Sequence, residues 1–100
     1  NIFKTDLFVA ALGSKAQKIA FGLTNQLRAQ GLSAEMDYAD KSLKSQLKRA
    51  DKLNASFTLI FGDKEIEEQQ ALLRNMQTKD QQAIPLDRLP ESIIKIIKER

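Results

Sequence analysis

Asp6 to Leu12 (DLFVAAL) is a short, almost wholly apolar run. Apolar residues without alternation over this length predict a strand covered on both faces. Gly13-Ser14 breaks the run, and Ser14 is the expected N-cap of a helix. From Lys15 to Gln30, Ala16, Ile19, Ala20, Leu23 and Leu27 recur at helical spacing, and Gly31 is the natural stop. Ser33 to Tyr38 (SAEMDY) alternates small or apolar residues with acidic ones, which suits an edge strand. A second helix is predicted over about Ser42 to Leu53, with Asn54 at its C-terminal end. Ser56 to Phe61 (SFTLIF) reads as another apolar strand, closed by Gly62.

This β-α-β-α-β order with short connections implies three parallel strands joined by right-handed crossovers. The pattern then changes. Asp63 to Gln69 is polar and acidic, a turn or a single helical turn. Ala71 to Met76 and Gln81 to Leu86 flank Gln77-Thr78-Lys79-Asp80, a hairpin-like connector. Pro85 places the second hairpin strand near an edge or at its end. Asp87 or Pro90 opens a last helix whose apolar side carries Leu89, Ile93, Ile94 and Ile97. The expected fold is α/β, three-layered, with one domain over residues 1–100. No internal repeat or low-complexity segment is visible.

The second helix stands out. Leu43, Leu47 and Ala50 mark an apolar side, and Lys41, Lys44, Lys48 and Lys52 mark the opposite side. Asp40 to Lys52 holds five basic and two acidic residues, a net +3 that equals the formal charge of the whole chain. The electrostatic signature is thus local. Such a row can grip a phosphate backbone, or it can simply be a solvated helix face.

Composition narrows the chemistry. The chain has no Cys and no His, which removes disulfides, thiolate nucleophiles, imidazole bases and nearly all zinc sites. Neither G-x-G-x-x-G nor G-x-x-x-x-G-K-[ST] occurs, so a dinucleotide or triphosphate loop is disfavoured. No apolar run approaches the roughly 20 residues of a membrane span. A chain that begins at Asn1, with nothing resembling a leader before Asp6, reads as a piece of a longer protein, with a cytoplasmic location by default.

Several residues carry two readings each. Gly13 either makes a tight turn or offers its amide to a ligand at the carboxyl end of the first strand. Asp40 can cap the basic helix or recognise a ligand. Tyr38 can pack on a neighbour or stack on a base. Glu65 and Arg74 can form a structural ion pair. Alternatively, a carboxylate and a guanidinium can read the donors and acceptors of base edges.

The run Tyr38-Ala39-Asp40-Lys41-Ser42-Leu43-Lys44-Ser45-Gln46-Leu47-Lys48-Arg49-Ala50-Asp51-Lys52 is followed by Phe61-Gly62-Asp63-Lys64-Glu65 and then by Arg74-Asn75-Met76. Together these closely resemble the carboxyl-terminal anticodon-binding domain of bacterial histidyl-tRNA synthetases, and the likeness runs from about Asp6 to Leu89. The resemblance implies a mixed five-stranded sheet flanked by three helices. It implies a parent enzyme, a homodimer, that joins histidine to its tRNA with ATP and magnesium. The fragment itself would hold no cofactor and no catalytic site. Its partners would be the anticodon loop of histidine tRNA and the parent's catalytic domain, with no DNA and no membrane.

By analogy with the related threonyl enzymes, the positions of Asp40, Glu65 and Arg74 face anticodon bases. Glu65 and Arg74 match those enzymes in residue type, whereas Asp40 stands for an asparagine. Lys41 stands where the histidyl family usually has arginine, which keeps the charge and loses the planar fork. On this reading Tyr38 stacks, and Lys41, Lys44 and Lys48 neutralise phosphates. The rival reading is a synthetase-like paralogue with a regulatory or interaction role.

Overall fold

The computed structural model describes residues 4–99. The first strand, β1 (Thr5–Ala11), leads into helix α1 (Ser14–Ala29), then β2 (Ala34–Met36), helix α2 (Leu43–Lys52) and β3 (Ala55–Phe61). A short helix α3 (Asp63–Glu67) precedes the hairpin of β4 (Gln70–Asn75) and β5 (Gln81–Pro85). A 3-10 turn (Leu86–Arg88) then opens helix α4 (Leu89–Glu99). The strands form one sheet in the order β2-β1-β3-β4-β5. β1 is parallel to β2 and β3, whereas β4 is antiparallel to β3 and β5. The mixed five-stranded sheet is the one the resemblance implies; the Asp63–Gln69 segment, read as a turn or one helical turn, forms the short helix α3, so the described residues hold four α-helices rather than three.

β1 explains the three layers. Leu7, Val9 and Ala11 point to one face and join a core built with α1 and α4, through Leu23, Leu27, Ile93 and Ile97. Phe8 and Ala10 point to the other face and pack with Ala50 of α2 and Ile60 of β3. A strand covered by helices on both sides needs apolar residues at every position, which is why no alternation appears in its sequence. The two-faced pattern also holds in β4. Ala71 and Leu73 face α1 and α4, and Leu72 lies on the α2 side.

Three local expectations are corrected. The N-cap of α1 is Gly13, at φ 94°, and not Ser14; no side chain caps this helix. The sharp entry from β1 needs the left-handed region, which glycine adopts without a Cβ penalty. β2 is three residues long rather than Ser33 to Tyr38. Ser33 lies before the strand in side-chain exchange with Asp6, its N–H donating to Asp6 Oδ2 at 2.9 Å and Ser33 Oγ accepting from Asp6 N at 2.8 Å. Leu43 of α2 is 37% exposed, while Ala50 is buried as expected and Gln46 is fully buried beside it. Asn54 follows α2 at φ 54°, a left-handed position that asparagine tolerates better than most residues.

Candidate functional site

The β1–α1, β2–α2 and β3–α3 connections all leave the carboxyl edge of the parallel strands. There they touch one another. Leu12 N donates to Phe61 O at 3.0 Å. A Cβ on Gly62 would meet Leu12 Cβ at 3.2 Å, and one on Gly13 would lie 3.7 Å from Asp63 Oδ1. Open α/β sheets bind ligands at this edge.

Asp40 and Lys41 stand on the β2–α2 loop and are exposed. Asp40 is not the cap of α2. That role belongs to Ser42, whose Oγ accepts from Ser45 N at 3.1 Å. The carboxylate of Asp40 is therefore not committed to α2, and one of its two sequence readings falls away. Lys44, Lys48 and Lys52 line the outer side of α2, turned away from the sheet on which Gln46 and Ala50 are buried.

Glu65 lies in the first turn of α3 and is half-buried. Its Oε1 accepts from Gly62 N at 2.8 Å, the half of a capping box that a glycine N-cap permits. One carboxylate oxygen thus fixes the side chain at the carboxyl edge. What favours glycine here is the close approach of Leu12 and not the backbone angle, since a φ of −143° suits any residue.

Arg74 belongs to β4, opposite Thr58 of β3 and Gln81 of β5. It shares the α2-side face with Leu72, which pairs with Ile60 near the carboxyl edge, and lies about 7 Å further along the strand. No ion pair joins Arg74 to Glu65 among the described residues. Arg74 Nη1 instead donates to Gln81 Oε1 at 3.3 Å, and its Nε is buried without a partner. α2 packs over β1 and β3, so the strip beyond it, with Leu72, Arg74, Gln81 and Ala83, forms a shelf that α2 leaves uncovered.

Tyr38 sits apart from Arg74. Its ring, 59% exposed, meets Phe21 of α1 edge-on at a centroid distance of 6.3 Å. It lies beside β2, three strands from β4 and toward the α1 layer. The sequence-predicted residues are thus spread along the sheet: Tyr38, Asp40 and Lys41 on the β2–α2 connection, Lys44 and Lys48 on α2, Glu65 on α3 just past the end of β3, and Arg74 on β4.

Two glutamines that sequence reasoning passed over tie this edge together. Gln46 Nε2 donates to Ala11 O and to Lys41 O, both at 2.9 Å. Gln17 Nε2 donates to Ala11 O at 3.4 Å and to Asp37 O at 3.3 Å. A polar residue at a core position of an amphipathic helix was the available signal for Gln46.

A model of the family described as anticodon binding domain matches residues 6–96. A histidine–tRNA ligase of Desulfatibacillum aliphaticivorans is 48% identical over 93 residues, which cover 93% of this chain and 22% of that protein. One from Acetivibrio thermocellus is 50% identical over 86 residues, covering 86% of this chain and 21% of the relative. The chain thus spans about a fifth of the curated relatives it matches. The crystal structure of apo histidyl-tRNA synthetase from S. aureus superposes with a TM-score of 0.86 at 38% identity, covering 92% of this chain and 27% of that one.

Proposed function

Because this chain belongs to the anticodon binding domain family, in the form carried by histidyl-tRNA synthetases, we propose that it grips the anticodon loop of histidine tRNA for a parent enzyme that attaches histidine to that tRNA. What supports the reading is that Glu65 is held at the carboxyl edge by Gly62 N, and that the exposed β2–α2 loop with Asp40 and Lys41 leaves the same edge. Arg74 stands on the shelf further along β4, and the lysines of α2 are exposed on the helix's outer side. Unpaired bases of an anticodon loop can be splayed and read on their Watson–Crick edges.

The roles divide by chemistry. Glu65 accepts from base N–H groups with the oxygen that does not cap α3. Arg74 donates to base carbonyl or ring-nitrogen acceptors. Asp40 accepts at the loop, with its acidic side chain in place of an amide. Lys41, Lys44 and Lys48 neutralise phosphates and supply affinity without sequence information. Tyr38, exposed and in a T-shaped contact with Phe21, would stack on a base on the β2 side of the sheet, away from Arg74.

ATP and magnesium are proposed for the parent, as are its catalytic domain and a homodimeric assembly. Among the described residues no three acidic, His or Cys side chains converge on a metal position, and the sequence has no phosphate-loop motif. We assign charging to the remainder of the parent; this chain spans about a fifth of its relatives' length. A cytoplasmic location goes with this reading; no helix among the described residues is long and apolar enough to cross a membrane.

The test is a titration of the chain with an anticodon stem-loop of histidine tRNA and with the same stem carrying a permuted anticodon. The permuted loop should bind about tenfold more weakly, the worth of one or two base-edge interactions. Equal affinities would remove the reading.

A further inference from the structure

We propose that Gln46 is a positioning residue for RNA recognition: its side-chain amide holds the Asp37–Ser42 loop, with Asp40 and Lys41, in the conformation that meets the anticodon loop. The proposal rests on the anticodon reading above and deepens it.

The need for such a residue arises where β2 ends. Leu12 N–H points to β3, where it donates to Phe61 O. The C=O and N–H of one trans peptide group point in opposite directions, so the carbonyl of Ala11, which shares its peptide with Leu12 N–H, points toward β2. The last β1–β2 register pair is Val9 with Met36. Beyond it the chain turns away into the loop, and Ala11 O loses its strand partner. A buried carbonyl left without a donor costs about as much as a lost hydrogen bond. Gln46 from α2 and Gln17 from α1, on opposite faces of the sheet, both reach this one oxygen.

Each glutamine then uses the same nitrogen to catch the loop. Gln17 Nε2 takes Asp37 O at the loop's start, and Gln46 Nε2 takes Lys41 O at its end. Between them Lys41 N closes a turn onto Ala39 O at 2.9 Å. The loop is thereby tied at both ends to the carboxyl terminus of β1.

Gln46 is the stronger anchor. It is 0% exposed, and both its bonds are 2.9 Å long. Its amide is also fixed in direction. Both N–H bonds end on carbonyl oxygens, so a flip would set Oε1 against two acceptors. Oε1 is buried without a partner. The side chain is therefore held by its two donor bonds alone, and those bonds satisfy one carbonyl of β1 and one of the loop.

Gln46→Met keeps the side chain's length and removes both donors. In this variant, amide hydrogen exchange across residues 37–42 should quicken about tenfold, while exchange in β1 and β3 holds. Affinity for the histidine anticodon stem-loop should fall about fivefold, with the salt dependence unchanged. Exchange in the loop at the wild-type rate would overturn the proposal. So would faster loop exchange with unchanged RNA affinity. If the variant does not fold, scalar couplings across the hydrogen bonds of the wild-type chain decide: coupling from Gln46 Nε2 to the carbonyl carbons of both Ala11 and Lys41 is expected, and its absence at Lys41 would refute the anchor. A wild-type chain that ignores the anticodon sequence would remove the anticodon reading, and the RNA part of this proposal with it. The exchange data would still report whether Gln46 holds the loop.

Discussion

Thr58 of β3 and Arg74 of β4 stand opposite each other in an antiparallel pair, and each buries a polar atom, Thr58 Oγ1 and Arg74 Nε, that has no hydrogen-bond partner. Two orphaned groups side by side cost stability, and they have different remedies. Thr58→Val removes the hydroxyl and keeps the β-branched shape. It should leave stability unchanged or raise it by up to about 1 kcal/mol, read as an unchanged or higher midpoint in urea unfolding. Arg74→Ala should weaken discrimination between anticodon loops about tenfold, and Arg74→Lys should not restore it, because an ammonium lacks the planar fork. Binding assays with matched and permuted stem-loops check both. Discrimination retained by Arg74→Ala would take Arg74 out of the site.

Glu65 joins two tasks that substitution can separate. Its Oε1 caps α3 by accepting from Gly62 N. Glu65→Gln keeps an acceptor for the cap and should hold stability within about 0.5 kcal/mol, whereas Glu65→Ala should lose about 1 kcal/mol. Both should lose base discrimination, since the amide reverses part of the donor and acceptor pattern. Thermal unfolding and stem-loop binding, measured on both variants, distinguish the tasks.

The lysines of α2 point away from the sheet and should act at long range. Replacing Lys44 and Lys48 by Gln should lower the slope of log affinity against log salt by about 0.7 for each phosphate no longer neutralised. The ratio of affinities for matched and permuted loops should stay the same. A changed ratio with an unchanged slope would mean that these side chains touch bases.

Gly22 lies mid-helix on the exposed side of α1, and a Cβ added there would meet nothing within 4 Å. Gly22→Ala should therefore stabilise the chain by about 0.5–1 kcal/mol through lower unfolded-state entropy. That corresponds to a rise of about 2–8 °C in Tm for a domain of this size, measurable by calorimetry.

The architecture is legible in the sequence because its strands and helices differ sharply in apolar period. The unbroken run of β1 and the 3–4-residue spacing of α1 each admit one reading. The misreadings fall where tertiary packing outweighs local pattern. Ser14 has good capping chemistry, but the entry angle from β1 demands a positive φ, and Gly13 takes the cap. Leu43 shares the apolar stripe of α2, yet it lies in the first turn, at the sheet's edge, and stays partly exposed. Gln46 looks like a solvated polar residue until β2 is known to end at Met36, which leaves Ala11 O in need of a donor. Around the candidate site, the lysine row and the acidic and basic residues could be seen in the chain. That Tyr38 falls on the α1 side, apart from Arg74, depends on the strand order and on Phe21, which no local window contains.

An NMR titration of the chain with the histidine anticodon stem-loop is the most direct test of where RNA docks, because it reads location even when binding is weak. The backbone amides of residues 37–48, 62–65 and 72–76 should shift, and those on the outer faces of α1 and α4 should not. Shifts concentrated on α1 and α4, with the carboxyl edge and the Arg74 shelf silent, would contradict docking at this edge.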